Sequence, residues 1–211
     1  GLDGTAALAV PVRRLETLRA TGLTYRHPRT GRGIEGVDLR LTRGELVVVT
    51  GRVGSGKTTL LQALLGLLPL DAGKIEWNGI DVAAPEDLFV PPRAAYTPQA
   101  PMLFSESLRD NILLGLPDDE ERLARAIHAA VLERDVDGLE SGLETMVGPR
   151  GVRLSGGQVQ RAAAARMFVR EPDLLVVDDL SSALDVETER TLWHRLAVRS
   201  DVTCLAVSHR R

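Results

Sequence analysis

The chain has 211 residues and a formal net charge of -3, a length that suits one domain with a sizeable core. This charge leaves no basic surface of the kind that binds nucleic acid, so no nucleic-acid partner is expected. No apolar run approaches the roughly 18–20 residues that span a bilayer. The single cysteine, Cys204, excludes an intramolecular disulfide, and its apolar neighbours predict a buried core thiol.

The first part of the chain predicts a lead-in followed by short strands. Residues 1–20, rich in Ala, Gly and Arg, are predicted to be a linker, with the domain itself over 21–211. Strands are expected near 23–25, 36–41 and 45–50. The run 46–49 shows no alternation of apolar and polar residues, which is typical of a strand buried on both faces. Residues 57–68 then have helical spacing.

The rest of the chain predicts an α/β core with a helical insertion. Asn78-Gly79, between segments 74–77 and 80–82, predicts a β-hairpin. Residues 83–101 are rich in proline and cannot form one regular element, whereas 105–170 has a helical pattern. The apolar run 174–177 predicts a second doubly buried strand, followed by a helix over 187–198 and a strand over 203–207. The helical insertion is therefore expected at about 99–170.

A glycine-rich segment links the predicted strand at 45–50 to the helix that follows. Its sequence, Gly51-Arg52-Val53-Gly54-Ser55-Gly56-Lys57-Thr58, fits G-x-x-x-x-G-K-[ST], the loop that wraps nucleotide phosphates. Backbone amides of 53–59 can point at phosphate oxygens, helped by the helix N-terminus. Lys57 should reach the β- and γ-phosphates, and Thr58 should bind Mg²⁺. The alternative is a glycine-rich turn with an exposed lysine. The predicted binding residues are Gly51, Val53, Gly54, Ser55, Gly56, Lys57, Thr58 and Thr59.

Two further segments offer groups that could act on bound phosphate. Asp178 follows the strand 174–177 at its carboxyl end, where a carboxylate can hold Mg²⁺; the alternative is an N-cap for the next helix. About 100 residues after the glycine-rich loop the chain reads Leu154-Ser155-Gly156-Gly157-Gln158. A serine hydroxyl and amides at a helix start make a second anion site, although a simple N-cap would look the same.

The glycine-rich loop and Leu154-Ser155-Gly156-Gly157-Gln158, in this order, resemble the ATP-binding cassette (ABC) ATPases over about residues 21–209. The resemblance implies an α/β fold: a P-loop NTPase (RecA-like) core with an antiparallel β subdomain and an inserted α-helical subdomain. It also implies ATP and Mg²⁺ as cofactors, and ATP hydrolysis. In this family the second motif closes over the γ-phosphate held by another cassette, so Ser155, Gly156, Gly157 and Gln158 imply a second ABC cassette, as a homo- or heterodimer.

The resemblance gives roles to several single residues. Tyr25 lies where the family has an aromatic ring that stacks on adenine, although its surroundings equally suit an ordinary strand. Gln99 matches a glutamine that contacts Mg²⁺ and the attacking water, and His209 matches a histidine that contacts the γ-phosphate. Asp185 resembles a residue that communicates between the two sites. The predicted catalytic residues are Asp179, His209 and Gln99, and the predicted metal ligands are Thr58, Gln99 and Asp178.

Asp179 departs from the family pattern. ABC ATPases usually have glutamate here, which polarises the attacking water, and the shorter side chain draws the carboxylate back by about one bond. Positioning errors near 1 Å can cost on the order of 10²-fold in rate, so slow hydrolysis is expected. In exporters built from two different cassettes one site is typically degenerate in this way. The alternatives are a slow homodimer and an aspartate that works through a shifted water.

Segments 98–112 and 143–151 resemble exporter-type cassettes. The second is the segment that touches the coupling helices of the membrane domain, and here Met146 and Pro149 replace its usual glutamates. The resemblance implies a transmembrane permease domain, fused or separate, and a location at the cytoplasmic face of the inner membrane. The alternative is a soluble ABC ATPase in DNA repair or translation, or a low-turnover regulatory nucleotide-binding module. The transported substrate is chosen by the membrane domain and leaves no signal here.

Overall fold

The computed structural model describes residues 14–180, 183–198 and 202–208. The strands of this part of the chain form two four-stranded sheets. The antiparallel sheet has the order β2 (Gly33–Thr42), β1 (Thr17–Arg26), β4 (Ala72–Trp77) and β5 (Ile80–Asp81). The parallel sheet has the order β3 (Leu46–Thr50), β8 (Thr203–Ser208), β7 (Leu174–Asp178) and β6 (Ala94–Thr97).

The α-helices of the described residues are α1 (Lys57–Leu64), α2 (Pro85–Leu88), α3 (Leu108–Leu113), α4 (Glu120–Ala129), α5 (Glu133–Asp137), α6 (Gly156–Phe168) and α7 (Val186–Ala197). A short 3₁₀ helix, Gly142–Glu144, follows α5. Helices α3 to α6 all lie between β6 and β7 in the sequence. They therefore fall within the segment 99–170 for which a helical insertion was predicted.

Strand β1 begins before the predicted end of the lead-in. It starts at Thr17, and Leu15 and Leu18 are buried, so the boundary predicted at residue 20 falls inside this strand. The side chain of Asn78 fixes this region, since its oxygen accepts hydrogen bonds from the backbone nitrogens of Glu16 and Thr17 at 2.7 and 3.0 Å. The predicted hairpin at Asn78 is confirmed, because it joins β4 to β5.

Helix α1 is shorter than its predicted span of 57–68. It ends at Leu64, and Gly66 adopts a φ of +73°, which favours glycine. The backbone nitrogen of Gly66 donates to the carbonyl of Ala63 at 3.2 Å, and that of Leu67 donates to the carbonyl of Gln62 at 2.8 Å. These two bonds form the Schellman motif, which satisfies the last carbonyls of the helix and stops it.

The two strands that were predicted to be buried on both faces differ in their exposure to solvent. Strand β7 is buried along its whole length, as predicted. The prediction for β3 is wrong, because Leu46 and Val48 are 47% and 46% exposed while Val47 and Val49 are half-buried. Within the described residues β3 pairs with β8 alone, at the edge of the parallel sheet, and only one of its faces is covered.

The parallel sheet separates two hydrophobic cores. Leu174 and Val176 of β7 face the core shared with the antiparallel sheet and α1. Leu175 and Val177 of the same strand face the core shared with α6, α7 and the helical insertion. Cys204 is buried in this second core, as predicted. No helix of the described segments is long and apolar enough to cross a bilayer.

Candidate functional site

The glycine-rich loop, residues 51–58 and hereafter the phosphate loop, leads from β3 into α1. Gly56, at the N-cap of α1, has a φ of +90°. A Cβ added there would lie 2.9 Å from Cγ2 of Ile34 and 3.0 Å from the carbonyl oxygen of Gly33. Both the backbone conformation and the space therefore require glycine at this position.

The N-terminus of α1 is arranged to receive an anion. It has no side-chain cap and no acidic residue in its first turn, so its first amides lack the usual side-chain acceptor. Lys57 is buried, and its Nζ donates to the carbonyls of Gly51 at 2.8 Å and Arg52 at 3.0 Å. An ammonium group and a row of helix-start amides thus share one loop, which is the arrangement that binds phosphate.

A cavity of about 390 Å³ lies beside the phosphate loop. Tyr25, at the end of β1, lines this cavity together with Lys57 and Thr58, so the aromatic ring and the loop belong to one site. His27 and Arg32 also line it, although no sequence motif pointed to either residue. The further lining residues are Thr30, Gly33, Gly54, Gly56, Thr59, Gln62 and Leu68.

The carboxyl ends of two neighbouring parallel strands bring three of the predicted residues together. Asp178 ends β7 and is 1% exposed, and Asp179 follows it at 3% exposed. Gln99 follows the adjacent strand β6, and its Nε2 lies 3.4 Å from Oδ2 of Asp179. Asp179 has a φ of +53°, a conformation that non-glycine residues rarely adopt outside functional or turn positions.

Tyr96, two residues before Pro98-Gln99, interacts electrostatically with Asp178, which the sequence did not predict. Burial, and then the negative charge of Asp178, raise the pKa of Tyr96 to about 12. The phenol is therefore neutral at neutral pH.

The predicted metal ligands suit Mg²⁺ by their chemistry. Thr58 supplies a hydroxyl in the first turn of α1, and Asp178 supplies a carboxylate at the end of β7. Mg²⁺ prefers such oxygen donors, and it commonly takes one or two carboxylates together with substrate phosphates. The residues present therefore fit this ion.

Residues 154–158, hereafter the signature segment, start helix α6. The Ser155 hydroxyl accepts a hydrogen bond from the Gln158 backbone nitrogen at 3.3 Å, and Gln158 Oε1 accepts one from the Ser155 backbone nitrogen at 2.8 Å. This is a complete capping box, so the N-cap geometry is present together with the exposed Ser155 and Gly156. None of the described signature residues lines the cavity at the phosphate loop.

Gln160 joins the signature helix to the segment that carries Gln99. It is 4% exposed, and its Nε2 donates to the carbonyl of Gln99 at 2.7 Å. The sequence did not point to this residue. Its burial on an alanine-rich helix, two positions after the signature segment, is visible only in the structure.

The helical insertion carries an exposed apolar surface. Its largest exposed side chains are Met102, Phe104, Met146 and Val152, which are between 48% and 76% exposed; these four define the apolar surface below. A cavity of about 640 Å³ opens here, and it is lined by residues 101–103, 148–149, 151–154 and 159. The Arg166 guanidinium lies 5.8 Å from the centre of the Phe104 ring, so the ring is held although it is exposed.

Two predicted residues remain, His209 and Asp185. His209 falls outside the described residues. Asp185 caps the N-terminus of α7, where its carboxylate accepts hydrogen bonds from the backbone nitrogen and the hydroxyl of Thr188 at 2.9 and 2.7 Å. These bonds hold the pKa of Asp185 below its ordinary value, and the bond from the Thr188 backbone has the larger effect.

A P-loop NTPase domain is defined by the phosphate loop, the cavity beside it and the two aspartates at the end of β7. The helical insertion between β6 and β7 is the feature that such a domain has in an ABC transporter. The ABC transporter family model matches residues 34–182, and the chain belongs to this family. It is 36% identical over 86% of its length to the "probable multidrug resistance ABC transporter ATP-binding/permease protein YheI" of Bacillus subtilis. It is 34% identical over 92% of its length to "heavy metal tolerance factor 1" of Caenorhabditis elegans.

The fold is confirmed by a solved structure, that of a bacterial Atm1-family ABC exporter with ATP bound. The match has a TM-score of 0.86 and 27% identity, and it covers 96% of this chain and 36% of the exporter chain. The chain spans 31% of the Bacillus relative and 24% of the Caenorhabditis relative. The match therefore concerns the ATP-binding part of longer membrane proteins.

Proposed function

We propose that this chain is an ATP-binding and ATP-hydrolysing cassette that powers transmembrane export through the ATP-dependent, head-to-tail association of two cassettes. The observation that carries the proposal is the separation of two anion sites within one chain. The cavity at the phosphate loop has no lining residue from the signature segment, yet that segment presents an exposed serine and glycine at a helix start. A second cassette is the partner that would use it.

In this proposal the phosphate loop holds the β- and γ-phosphates, and adenine stacks on Tyr25. Lys57 would exchange its two carbonyl acceptors for phosphate oxygens. Thr58, Gln99 and Asp178 would hold Mg²⁺, which when bound neutralises phosphate charge. Gln99 and Asp179 face the same place from the ends of β6 and β7, and we assign them to the attacking water. His209 is assigned to the γ-phosphate by its position after β8.

The apolar surface supports a permease partner. Monomeric soluble proteins seldom leave large apolar groups together in one place unless the surface binds something. Met146 and Met102 are flexible and adaptable side chains that suit a helix laid across them. The names of the relatives, which join "ATP-binding" to "permease", support the same partner. With such a partner the cassette lies at the cytoplasmic face of the membrane.

Asp179 supports a further proposal, that the site on this chain is the slow one of a heterodimer. The side chain is buried and lies 3.4 Å from the Gln99 amide, so its reach is fixed. The signature segment of the same chain nevertheless has a complete capping box. Such a chain can lend an intact signature segment to a competent site on the other cassette, while its own phosphate loop turns over slowly.

Lys57→Ala tests the nucleotide site. Removing an ammonium aimed at phosphate costs the energy of at least one charge-assisted hydrogen bond, so Mg-ATP should bind at least on the order of 10- to 100-fold more weakly. Isothermal titration calorimetry measures this. Lys74→Ala is the matched control, since Lys74 is the other lysine of the chain and is an exposed residue of β4. Equal ATP affinity in wild type and Lys57→Ala would refute the site.

Light scattering tests the association. The chain is mixed with Mg²⁺ and a slowly hydrolysed ATP analogue, alone and together with its natural partner cassette. At one low protein concentration, the nucleotide is expected to increase the amount of dimer over that in a matched sample without it. A monomer under all of these conditions would refute the association and leave the nucleotide site standing.

Transport coupling is tested in the membrane-bound protein. Met102→Ser should lower the stimulation of ATP hydrolysis by transported substrate without changing ATP affinity, since it alters the apolar surface alone. Ile80→Ser, an equally apolar exposed residue on β5, should have no effect. Unchanged coupling in Met102→Ser would contradict the assignment of this surface.

A further inference from the structure

We infer that Asp135, on the short helix α5, is a positioning residue that sets the direction of the signature segment. The inference rests on the proposed function, because it concerns the segment that would meet the second cassette. Asp135 lies outside the motifs that the sequence revealed. Its carboxylate holds two side chains of α6, Gln158 and Arg161.

The contact with Arg161 is bidentate. Arg161 Nε donates to Asp135 Oδ2 at 2.7 Å, and Arg161 Nη2 donates to Asp135 Oδ1 at 2.9 Å. The two side chains are only 17% and 13% exposed, so this pair is better shielded from water than an ordinary surface ion pair. Paired planar geometry of this kind adds directional specificity to the attraction. Helix α5 is therefore fixed against the first turns of α6.

The same carboxylate determines which way the Gln158 amide faces. Asp135 Oδ1 accepts a hydrogen bond from Gln158 Nε2 at 3.2 Å. Because an ionised carboxylate only accepts hydrogen bonds, Gln158 must turn its nitrogen towards Asp135 and its oxygen towards the Ser155 backbone nitrogen. That second bond, at 2.8 Å, closes the capping box. Asp135 therefore acts on Ser155 through Gln158.

Arg161 carries the effect of Asp135 to Gly157 as well. A Cβ built on Gly157 would lie 3.4 Å from Arg161 Nη1, so the guanidinium packs directly against this glycine. Ser155 and Gly157 are the residues proposed to meet the γ-phosphate of the other cassette. Both are thus held by one carboxylate from a neighbouring helix, and loss of that carboxylate should loosen the signature segment without touching the phosphate loop.

Asp135→Asn tests the inference with little change of shape. The new amide nitrogen is a donor, so it cannot accept from Arg161, and the bidentate pair is lost. Asp137→Asn is the matched control: it removes the same charge from the same helix at an exposed position. Calorimetry should give equal Mg-ATP affinities for wild type and both variants.

Two measurements are made on the complete chain. Amide hydrogen exchange without nucleotide should be about 10-fold faster over 155–159 in Asp135→Asn, the size expected for losing a charge-assisted contact, and unchanged in Asp137→Asn. Light scattering with Mg²⁺ and the slowly hydrolysed ATP analogue should show association about 10-fold weaker in Asp135→Asn alone. Asp135→Glu keeps the carboxylate but displaces it by one methylene, so it should change both quantities in the same direction and by less. It is the variant measured if Asp135→Asn does not fold.

The outcomes separate this inference from the proposed function. Unchanged exchange over 155–159 in Asp135→Asn overturns the positioning role, whatever the association. Faster exchange with undiminished association also overturns it, because the segment would then not need Asp135 to bind. If the wild type fails to associate while exchange responds to Asp135→Asn, the head-to-tail association is refuted and the hold of Asp135 on the signature segment stands.

Discussion

Asp179→Glu is the substitution that the geometry makes most informative. It restores the reach of a carboxylate towards the attacking water by one methylene. If the aspartate is misplaced by about 1 Å, the single-turnover rate should rise by up to about 10²-fold. This gain is expected only if the position of the carboxylate is what limits hydrolysis.

The same substitution should lower stability. Asp179 is 3% exposed and has a φ of +53°, a conformation that aspartate tolerates better than longer side chains. An added methylene in a packed site costs about 1–3 kcal/mol. For a chain of this size that lowers Tm by about 2–12 °C. The contact between Gln99 and Asp179, 3.4 Å long, must shift to admit the glutamate.

The assay is single-turnover hydrolysis of ATP labelled at the γ-phosphate, followed beside thermal unfolding. Asp178→Glu is the control, since it adds the same methylene to a neighbouring residue that is 1% exposed. It should weaken Mg²⁺-dependent binding and give no gain in rate. Brisk hydrolysis by the wild type, unimproved by Asp179→Glu, would refute the reasoning and remove the case for a degenerate site.

Two further predictions follow from the backbone and the core. Gly56→Ala should lower nucleotide affinity and stability together, because its Cβ would meet Ile34 at 2.9 Å in a backbone conformation with φ +90°. Gly79→Ala is the control, since Gly79 also has a positive φ but has open space around it. It shows the cost of backbone strain without a steric contact. Cys204 should resist thiol reagents at pH 8 until the protein unfolds, because burial raises its pKa from 9.0 to about 12. The neutral thiol stabilises the fold below pH 9.0, and this contribution should be lost as the pH rises towards 12, so Cys204→Ala should flatten that part of the unfolding profile.

The sequence could predict those parts of the site whose geometry is local. The phosphate loop, the strand end at Asp178 and the start of α6 each depend on a few consecutive residues, and motif spacing is enough to find them. The hairpin at Asn78-Gly79 is local in the same sense. These features are present where they were expected.

The remaining features depend on contacts between distant residues. Gln160 reaches Gln99 across 61 positions, and Asp135 reaches Arg161 across 26. No local pattern marks either pair. The exposure of Leu46 and Val48 could not be predicted from the sequence either, because an apolar run does not reveal whether its strand lies inside a sheet or at the edge.

The edge position of β3 affects how the isolated chain will behave in solution. Leu46 and Val48 present aliphatic surface on a strand that, within the described residues, pairs on one side alone. An exposed apolar edge strand is a template for further strands and so for aggregation. Preparations of this chain should self-associate with increasing protein concentration and without nucleotide. Dimerisation that depends on ATP is therefore measured as the difference between matched samples with and without the analogue, at one low protein concentration.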